Sequence, residues 1–279
     1  MKTGGEIVRE MFGTMFQDYG KEISRLPATC EKHGDYIDIV TVGMSGKPWH
    51  SACPTCESER DAEAAERFRQ HEEAEKAEKE RAKQDARLAW LKDAGIEPLY
   101  YGATLETFIA ETPEQKHNVQ RVRDLIAGKI GKIIMLGSNG TGKTHLACAA
   151  VQALGGKIIT MYEISAMIRA SYTNEGSELD IVDQLAQYPL LVIDEMGRTK
   201  GSDSEMNWLS YIIDKRHARG LPLIIISNKH ARKRCDKGGC PNCLENYIGE
   251  DIMSRLSDGG VMLAFTGEDW RRKSKAMGI

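Results

Sequence analysis

The stretch 132-KIIMLGSNGTGKTHL-146 decides how this chain folds. Residues 133–136 are an apolar run of strand length, bounded by glycine, as a buried parallel strand requires. Gly137-Ser138-Asn139-Gly140-Thr141-Gly142-Lys143-Thr144 follows and satisfies G-x-x-x-x-G-K-[ST]; from His145 to residue 154 the chain is rich in Ala and Leu and reads as a helix. Strand, glycine loop and helix, in that order, are the context of a phosphate-binding loop. Glycines let the backbone curl until its N–H groups point at phosphate oxygens, and the helix N-terminus adds partial positive charge. Lys143 then reaches the β- and γ-phosphates, and the Thr144 hydroxyl ligates Mg²⁺. The expectation is a site for a nucleoside triphosphate, bounded by Gly137 and His145.

A second stretch, Leu190-Leu191-Val192-Ile193-Asp194-Glu195, supplies two acids at the end of an apolar strand. At the carboxyl end of a central strand both carboxylates lie near the phosphate loop. Asp194 is expected to hold the Mg²⁺ shell and Glu195 to orient and activate the attacking water. A further apolar strand over 221–226 ends in Ser227-Asn228; if it neighbours the acidic strand, Asn228 stands beside Glu195 and the same water. Alternating apolar strands and helices predict an α/β fold, a parallel sheet covered on both faces.

The 279 residues carry a net charge of −3, so no global pull toward nucleic acid exists and any such contact is local. There is no N-terminal apolar signal and no run long enough to span a bilayer, which predicts a cytoplasmic protein with reduced cysteines. Of the seven cysteines, Cys148 sits on the helix after the phosphate loop and suits a small core position. The other six fall in two clusters with metal-ligand spacing.

The first cluster is Cys30-Glu-Lys-His33, a β-like stretch over 36–42, then Cys53-Pro-Thr-Cys56. Two close pairs brought together by a hairpin are how a tetrahedral zinc knuckle is built. His50 competes as fourth ligand, but its distance from Cys53 suits the knuckle less well than His33 does. With four protein ligands the ion is structural. The second cluster, His230 to Cys243, offers Cys235, Cys240 and Cys243 in C-x₄-C-x₂-C spacing with His230 as nearest fourth ligand. Arg232, Lys233 and Arg234 make that loop a candidate contact to a phosphate backbone or a solvated basic loop.

Ahead of the first cluster, Ile7, Val8, Met11, Phe12 and Met15 recur at helical spacing, for a small core or a partner protein. Residues 57–93 are Ala-, Glu-, Lys- and Arg-rich, with Glu63/Arg67, Glu72/Lys76 and Glu75/Lys79 four apart, and read as a solvated helical linker. The expected organisation is a zinc-binding, partner-binding domain over 1–57, a linker over 58–94 and a nucleotide domain over 95–279 with a Cys-rich insertion at 230–243. Helices are predicted from Thr112-Pro113 to Gly128, over 163–172 and over 206–219, with a strand over 157–161.

GSNGTGKTHLA, LLVIDEMG, IIDKR, the strand ending in Ser227-Asn228, Ser254-Arg255-Leu256 and FTGEDWRRK resemble, in order and spacing, DnaC-type AAA+ proteins. That group comprises bacterial and phage helicase loaders and the related IstB-like ATPases that assist transposases. The first knuckle is similar to that of phage and prophage members. The resemblance implies an AAA+ fold, with Asn228 as sensor-1 residue, Arg255 as arginine finger toward a neighbour's nucleotide and Arg271, beside Arg272 and Lys273, as a sensor-2-like residue. It further implies self-association, a DnaB-type replicative helicase as partner of the N-terminal domain, and single-stranded DNA bound through the helix over 163–172. Rival functions are a transposition helper ATPase and a nucleotide-gated zinc adaptor with weak hydrolysis.

Overall fold

The computed structural model describes residues 19–171, 177–198, 202–231 and 240–270. The apolar positions Ile7, Val8, Met11, Phe12 and Met15, Tyr172, the basic run at 232–234 with Cys235, and Arg271, Arg272 and Lys273 all lie outside the described residues. The chain forms two units, Met1–Gln84 and Asp85–Ile279.

In the first unit, β1 (Glu22–Cys30), β2 (Gly34–Val42) and β3 (Pro48–His50) form an antiparallel sheet in that order. Val40 and Cys53 are buried, while Ile37 and Trp49 are more than half exposed. So small an apolar interior cannot hold a sheet together without a further constraint. Helix α1 (Pro54–Asp93) begins inside the second cysteine pair, three residues earlier than the linker expected from composition. Of the three charge pairs expected along it, Glu75 and Lys79 meet at 2.5 Å, whereas Arg67 donates to the backbone carbonyl of Glu63.

The second unit carries a five-stranded sheet in the order β5-β6-β7-β4-β8: β4 (Lys132–Gly137), β5 (Lys157–Thr160), β6 (Leu191–Met196), β7 (Leu223–Ser227) and β8 (Gly260–Phe265). Every pairing is parallel. Alternate residues feed two cores. Ile133, Met135, Ile224, Ile226 and Leu263 pack on one face with Leu146 and Val151; Ile134, Leu136, Ile193 and Ile225 pack on the other with Ile164, Leu209 and Ile213. This is the doubly covered parallel sheet expected from the apolar strands.

The covering helices are α2 (Pro113–Ile126), α3 (Lys143–Leu154), α4 (Met161–Ser171), α5 (Glu178–Gln187), α6 (Asp203–Ala218), α7 (Leu244–Ile248) and α8 (Glu250–Ser257). Thr112 closes a capping box with Gln115 at the start of α2. Helix α4 starts at Met161, not at residue 163, because the Glu163 carboxylate takes the backbone and side-chain protons of Thr160 and turns the chain at once. Helix α6 starts at Asp203, three residues before the expected 206, on a Ser202/Glu205 capping box. At its other end Arg216 is fully buried, donating to the carbonyls of Tyr188 and Pro222. Among the described residues no helix is long and apolar enough to cross a membrane.

Candidate nucleotide site and metal centre

The carboxyl ends of β4, β6 and β7 lie on one edge of the sheet and deliver the nucleotide-site residues together. Two glycines of the loop after β4 are forced. Gly140 has φ 75° and an added Cβ would lie 1.7 Å from an Asp269 carboxylate oxygen; Gly142 has φ 91° and its Cβ would lie 2.4 Å from the Phe108 ring. Lys143 folds over the loop, its ammonium donating to the carbonyls of Gly137 at 2.8 Å and Ser138 at 2.6 Å. Thr141 donates to the Ser138 carbonyl at 2.9 Å.

Strand β6 lies one strand away from β4, with β7 between, yet its acids reach the loop. The Thr144 hydroxyl donates to Asp194 Oδ2 at 3.0 Å, and the Glu195 amide to Asp194 Oδ1 at 2.6 Å. The β6–β7 register slips between Ile193 and Met196 by one extra residue on β6. Glu195 sits in this bulge with φ 55°, the one non-glycine residue with positive φ among the described residues. Its carboxylate pairs with Arg198. Burial pushes the Asp194 carboxyl above its ordinary value, against the lowering by the Glu195 amide and the Thr144 hydroxyl. A half-hidden carboxylate with a hydroxyl at its side is the donor set a hydrated Mg²⁺ takes, and the cation's charge would offset the desolvation.

From β7, Asn228 donates its amide to Asn139 Oδ1 at 2.8 Å, so the expected sensor position touches the phosphate loop directly. Arg255 is not part of this edge. Its carbonyl accepts from the Lys132 ammonium at 2.8 Å, and Lys132 is the first residue of β4. At 3.3 Å per residue the strand separates that end from the phosphate loop by about 17 Å.

In the first unit, Cys30, His33, Cys53 and Cys56 place their ligand atoms within 4.8 Å of one another. Zn–S bonds of about 2.3 Å and a Zn–N bond of about 2.05 Å at tetrahedral angles need S···S edges near 3.8 Å and N···S edges near 3.5 Å. Cys30 and Cys56 sulfurs are 3.6 Å apart, and His33 Nδ1 lies 3.9, 3.7 and 3.2 Å from Cys30, Cys53 and Cys56. Backbone N–H groups of Lys32 and His33 lower the pKa of the Cys30 thiol, and that of Cys56 lowers that of Cys53, while the Cys56 thiol, hydrogen-bonded to Cys30, is pushed up to about 11. Three adjacent thiols cannot all ionise without a countercharge, which a dication supplies. His50 is turned away, its Nδ1 held by Asp38 at 2.5 Å.

A family model described as IstB-like ATP binding protein matches residues 68–276. This chain belongs to the IstB-like ATP-binding family. The replicative helicase loader DnaC of Escherichia coli (strain K12) is 28% identical over 190 residues, covering 64% of this chain and 74% of that protein. Among solved structures, the DnaC helicase loader aligns with a TM-score of 0.51 at 22% identity, covering 61% of this chain and 100% of that one. The replication initiator DnaA bound to AMPPCP and single-stranded DNA aligns at 0.51 and 19% identity, over 66% and 56% of the two chains. The second unit has the AAA+ fold.

The IstB-like sequence did not disclose several neighbours of the site. Phe108 meets His145 edge-on at 5.6 Å, and His145 Nε2 lies 3.0 Å from the Thr104 carbonyl and 3.2 Å from the Thr107 hydroxyl. Thr104, Thr107 and Phe108 lie well before the loop in sequence, with no motif to announce them. From the other side the Trp270 amide donates to the Gly140 carbonyl at 2.9 Å. At the first cluster, Glu59 lies 3.2 Å from His33 Nε2, where a carboxylate would fix the tautomer of a metal-binding histidine. Its place one helical turn after Cys56, in a run of many acids, hid it.

Proposed function

We propose that this chain is a Mg²⁺-dependent ATPase that loads a replicative helicase onto single-stranded DNA in the cytoplasm. The observation that carries this reading is the similarity to the replicative helicase loader DnaC across three quarters of that protein. In this reading residues 1–57 hold zinc through Cys30, His33, Cys53 and Cys56 and bind the helicase. Residues 58–94 are the linker, and 95–279 form the ATPase, which self-associates head to tail.

The backbone N–H groups of 137–144 cradle the phosphates, and Lys143 leaves its two carbonyls to neutralise the β- and γ-phosphates. Thr144 and Asp194 would hold Mg²⁺, which would supply countercharge to the phosphate oxygens. Glu195 takes a proton from water as the water oxygen bonds to the γ-phosphorus and the bond to the β-bridging oxygen breaks, leaving ADP and phosphate. Asn228 holds that water near the γ-phosphate, and a neighbour's Arg255 stabilises the charge on the transferred group.

The test is a pull-down from native host extract with ATP hydrolysis assayed on the same preparation. A DnaB-type helicase should be recovered, and single-stranded DNA should bind more tightly with ATP and more weakly as salt rises. The family match to IstB-like proteins keeps a second reading, a transposition helper; recovery of a transposase in place of a helicase would establish it.

A further inference from the structure

The exit of β7 and the turn that opens α7 are joined backbone to backbone. His230 and Cys243 form a β-bridge. The His230 amide donates to the Asn242 carbonyl at 2.9 Å, and the Leu244 amide returns to the His230 carbonyl at 3.0 Å. Between them Cys240-Pro241-Asn242-Cys243 is a closed turn, the Cys243 amide meeting the Cys240 carbonyl at 3.2 Å. Lys229 reaches across, its ammonium donating to the Pro241 carbonyl at 2.6 Å.

This backbone aims three soft donors at one point. His230 Nε2 lies 3.3 Å from Cys243 Sγ and 3.7 Å from Cys240 Sγ, and all three atoms fall within 4.8 Å of one another. A tetrahedral zinc ion needs N···S edges of about 3.5 Å. Cys243 is fully buried, and no disulfide joins it to Cys240. Two thiols and an imidazole favour a borderline-soft divalent ion over Mg²⁺ or Ca²⁺. His230 is two residues beyond Asn228, whose amide rests on Asn139 of the phosphate loop.

We propose that His230, Cys240 and Cys243 bind a zinc ion that fixes the exit of β7 and so holds Asn228 against the phosphate loop. The ligands come from both sides of the intervening segment, so the ion closes that insertion at its base. Asn228 then points at the nucleotide from a strand end that cannot fray. Its consequence for hydrolysis rests on the ATPase proposed above; the zinc itself does not.

The experiment counts zinc in the full-length protein. With the first knuckle disabled by Cys53→Ser/Cys56→Ser, about one equivalent should remain, and adding Cys240→Ser/Cys243→Ser should remove it. No zinc in the first variant, or unchanged zinc on adding the second pair, overturns the site. His230→Ala should lose this zinc and His230→Cys should keep it, which separates ligation from misfolding. On the wild-type background, Cys240→Ser/Cys243→Ser should bind a fluorescent ATP analogue normally and hydrolyse ATP roughly tenfold more slowly, as expected when an orienting group is lost. An unchanged rate overturns the bracing of Asn228. A wild type that does not hydrolyse ATP would refute the proposed function and leave the zinc count to decide the site.

Discussion

Arg255 on α8 is ion-paired with Asp214 on α6, its guanidinium also donating to the Asp251 carbonyl at 3.0 Å. The same helix is anchored by buried Lys132, which donates to the carbonyls of Arg255 and Asp258 at 2.8 and 2.7 Å. This places Arg255 at the end of the sheet away from its own phosphate loop. Arg255→Ala should bind ATP normally and lose hydrolysis, an effect that reaches about 10³–10⁵ for an arginine finger. Lys143→Ala should lose ATP binding. Mixing the two dead variants should restore part of the activity, because interfaces pairing an intact loop with an intact finger re-form. No recovery in an assembly containing both would show that Arg255 does not act in trans.

Glu195 carries its carboxylate on a left-handed backbone, a conformation that costs an L-residue about 1–2 kcal/mol. Glu195→Gln should bind ATP without turning it over. Glu195→Gly should also be inactive, yet melt higher: strain relief less the added unfolded-chain entropy leaves roughly 0.5–1 kcal/mol, or about 2 °C in Tm. Equal or lower Tm for the glycine variant would show that the strain is relieved elsewhere.

The raised pKa of Asp194 has a definite sign in stability. A carboxyl whose folded value lies above its unfolded value of about 3.9 destabilises the folded chain once ionised. Its penalty is greatest above the raised value and fades as pH falls through it. Without nucleotide, Asp194→Asn should therefore melt above wild type at pH 7, with the gap narrowing toward pH 4. The same variant should lose the additional stabilisation that Mg²⁺ gives wild type in the presence of ATP. A melting temperature at pH 7 equal to wild type would contradict the buried-charge account.

At the first knuckle, Glu59 and His50 make opposite predictions. Glu59→Ala should weaken zinc about 10–100-fold, since His33 loses the group that orients its ring. His50→Ala should leave zinc content unchanged, because Asp38 already holds that imidazole. Competition with a colorimetric chelator reads both, and Cys53→Ser/Cys56→Ser sets the zinc-free baseline. Zinc loss in His50→Ala would reassign the fourth ligand.

What the sequence disclosed was local. The phosphate loop needs glycines at fixed offsets, and an apolar strand ending in Asp194-Glu195 is visible wherever it stands. The strand order was not legible, and it is the place of β7 between β6 and β4 that brings Asn228 against Asn139. Phe108, Thr107 and Trp270 were hidden because they meet the loop through tertiary contacts with no periodicity of their own. The bulge at Glu195 was equally silent, since a single extra residue in β6 leaves the apolar run intact. Nothing in the helix predicted over 206–219 set Arg216 apart; the carbonyls of Tyr188 and Pro222 converging on it explain its burial.

Helix α1 places Cys56 in its first turn, where the Glu57 amide donates to the Cys53 carbonyl at 3.0 Å. Starting a helix is the unfavourable step; lengthening it is nearly free. A dication bound by three thiolates and an imidazole bears one net negative charge, and it would stand at the positive end of the helix dipole. The knuckle is then a nucleus from which forty residues of charged, largely unpacked helix propagate. Chelating the metal should shorten the helix from this end, and the loss would read as falling ellipticity at 222 nm (roughly the helical band) long before the sheet of the second unit unfolds.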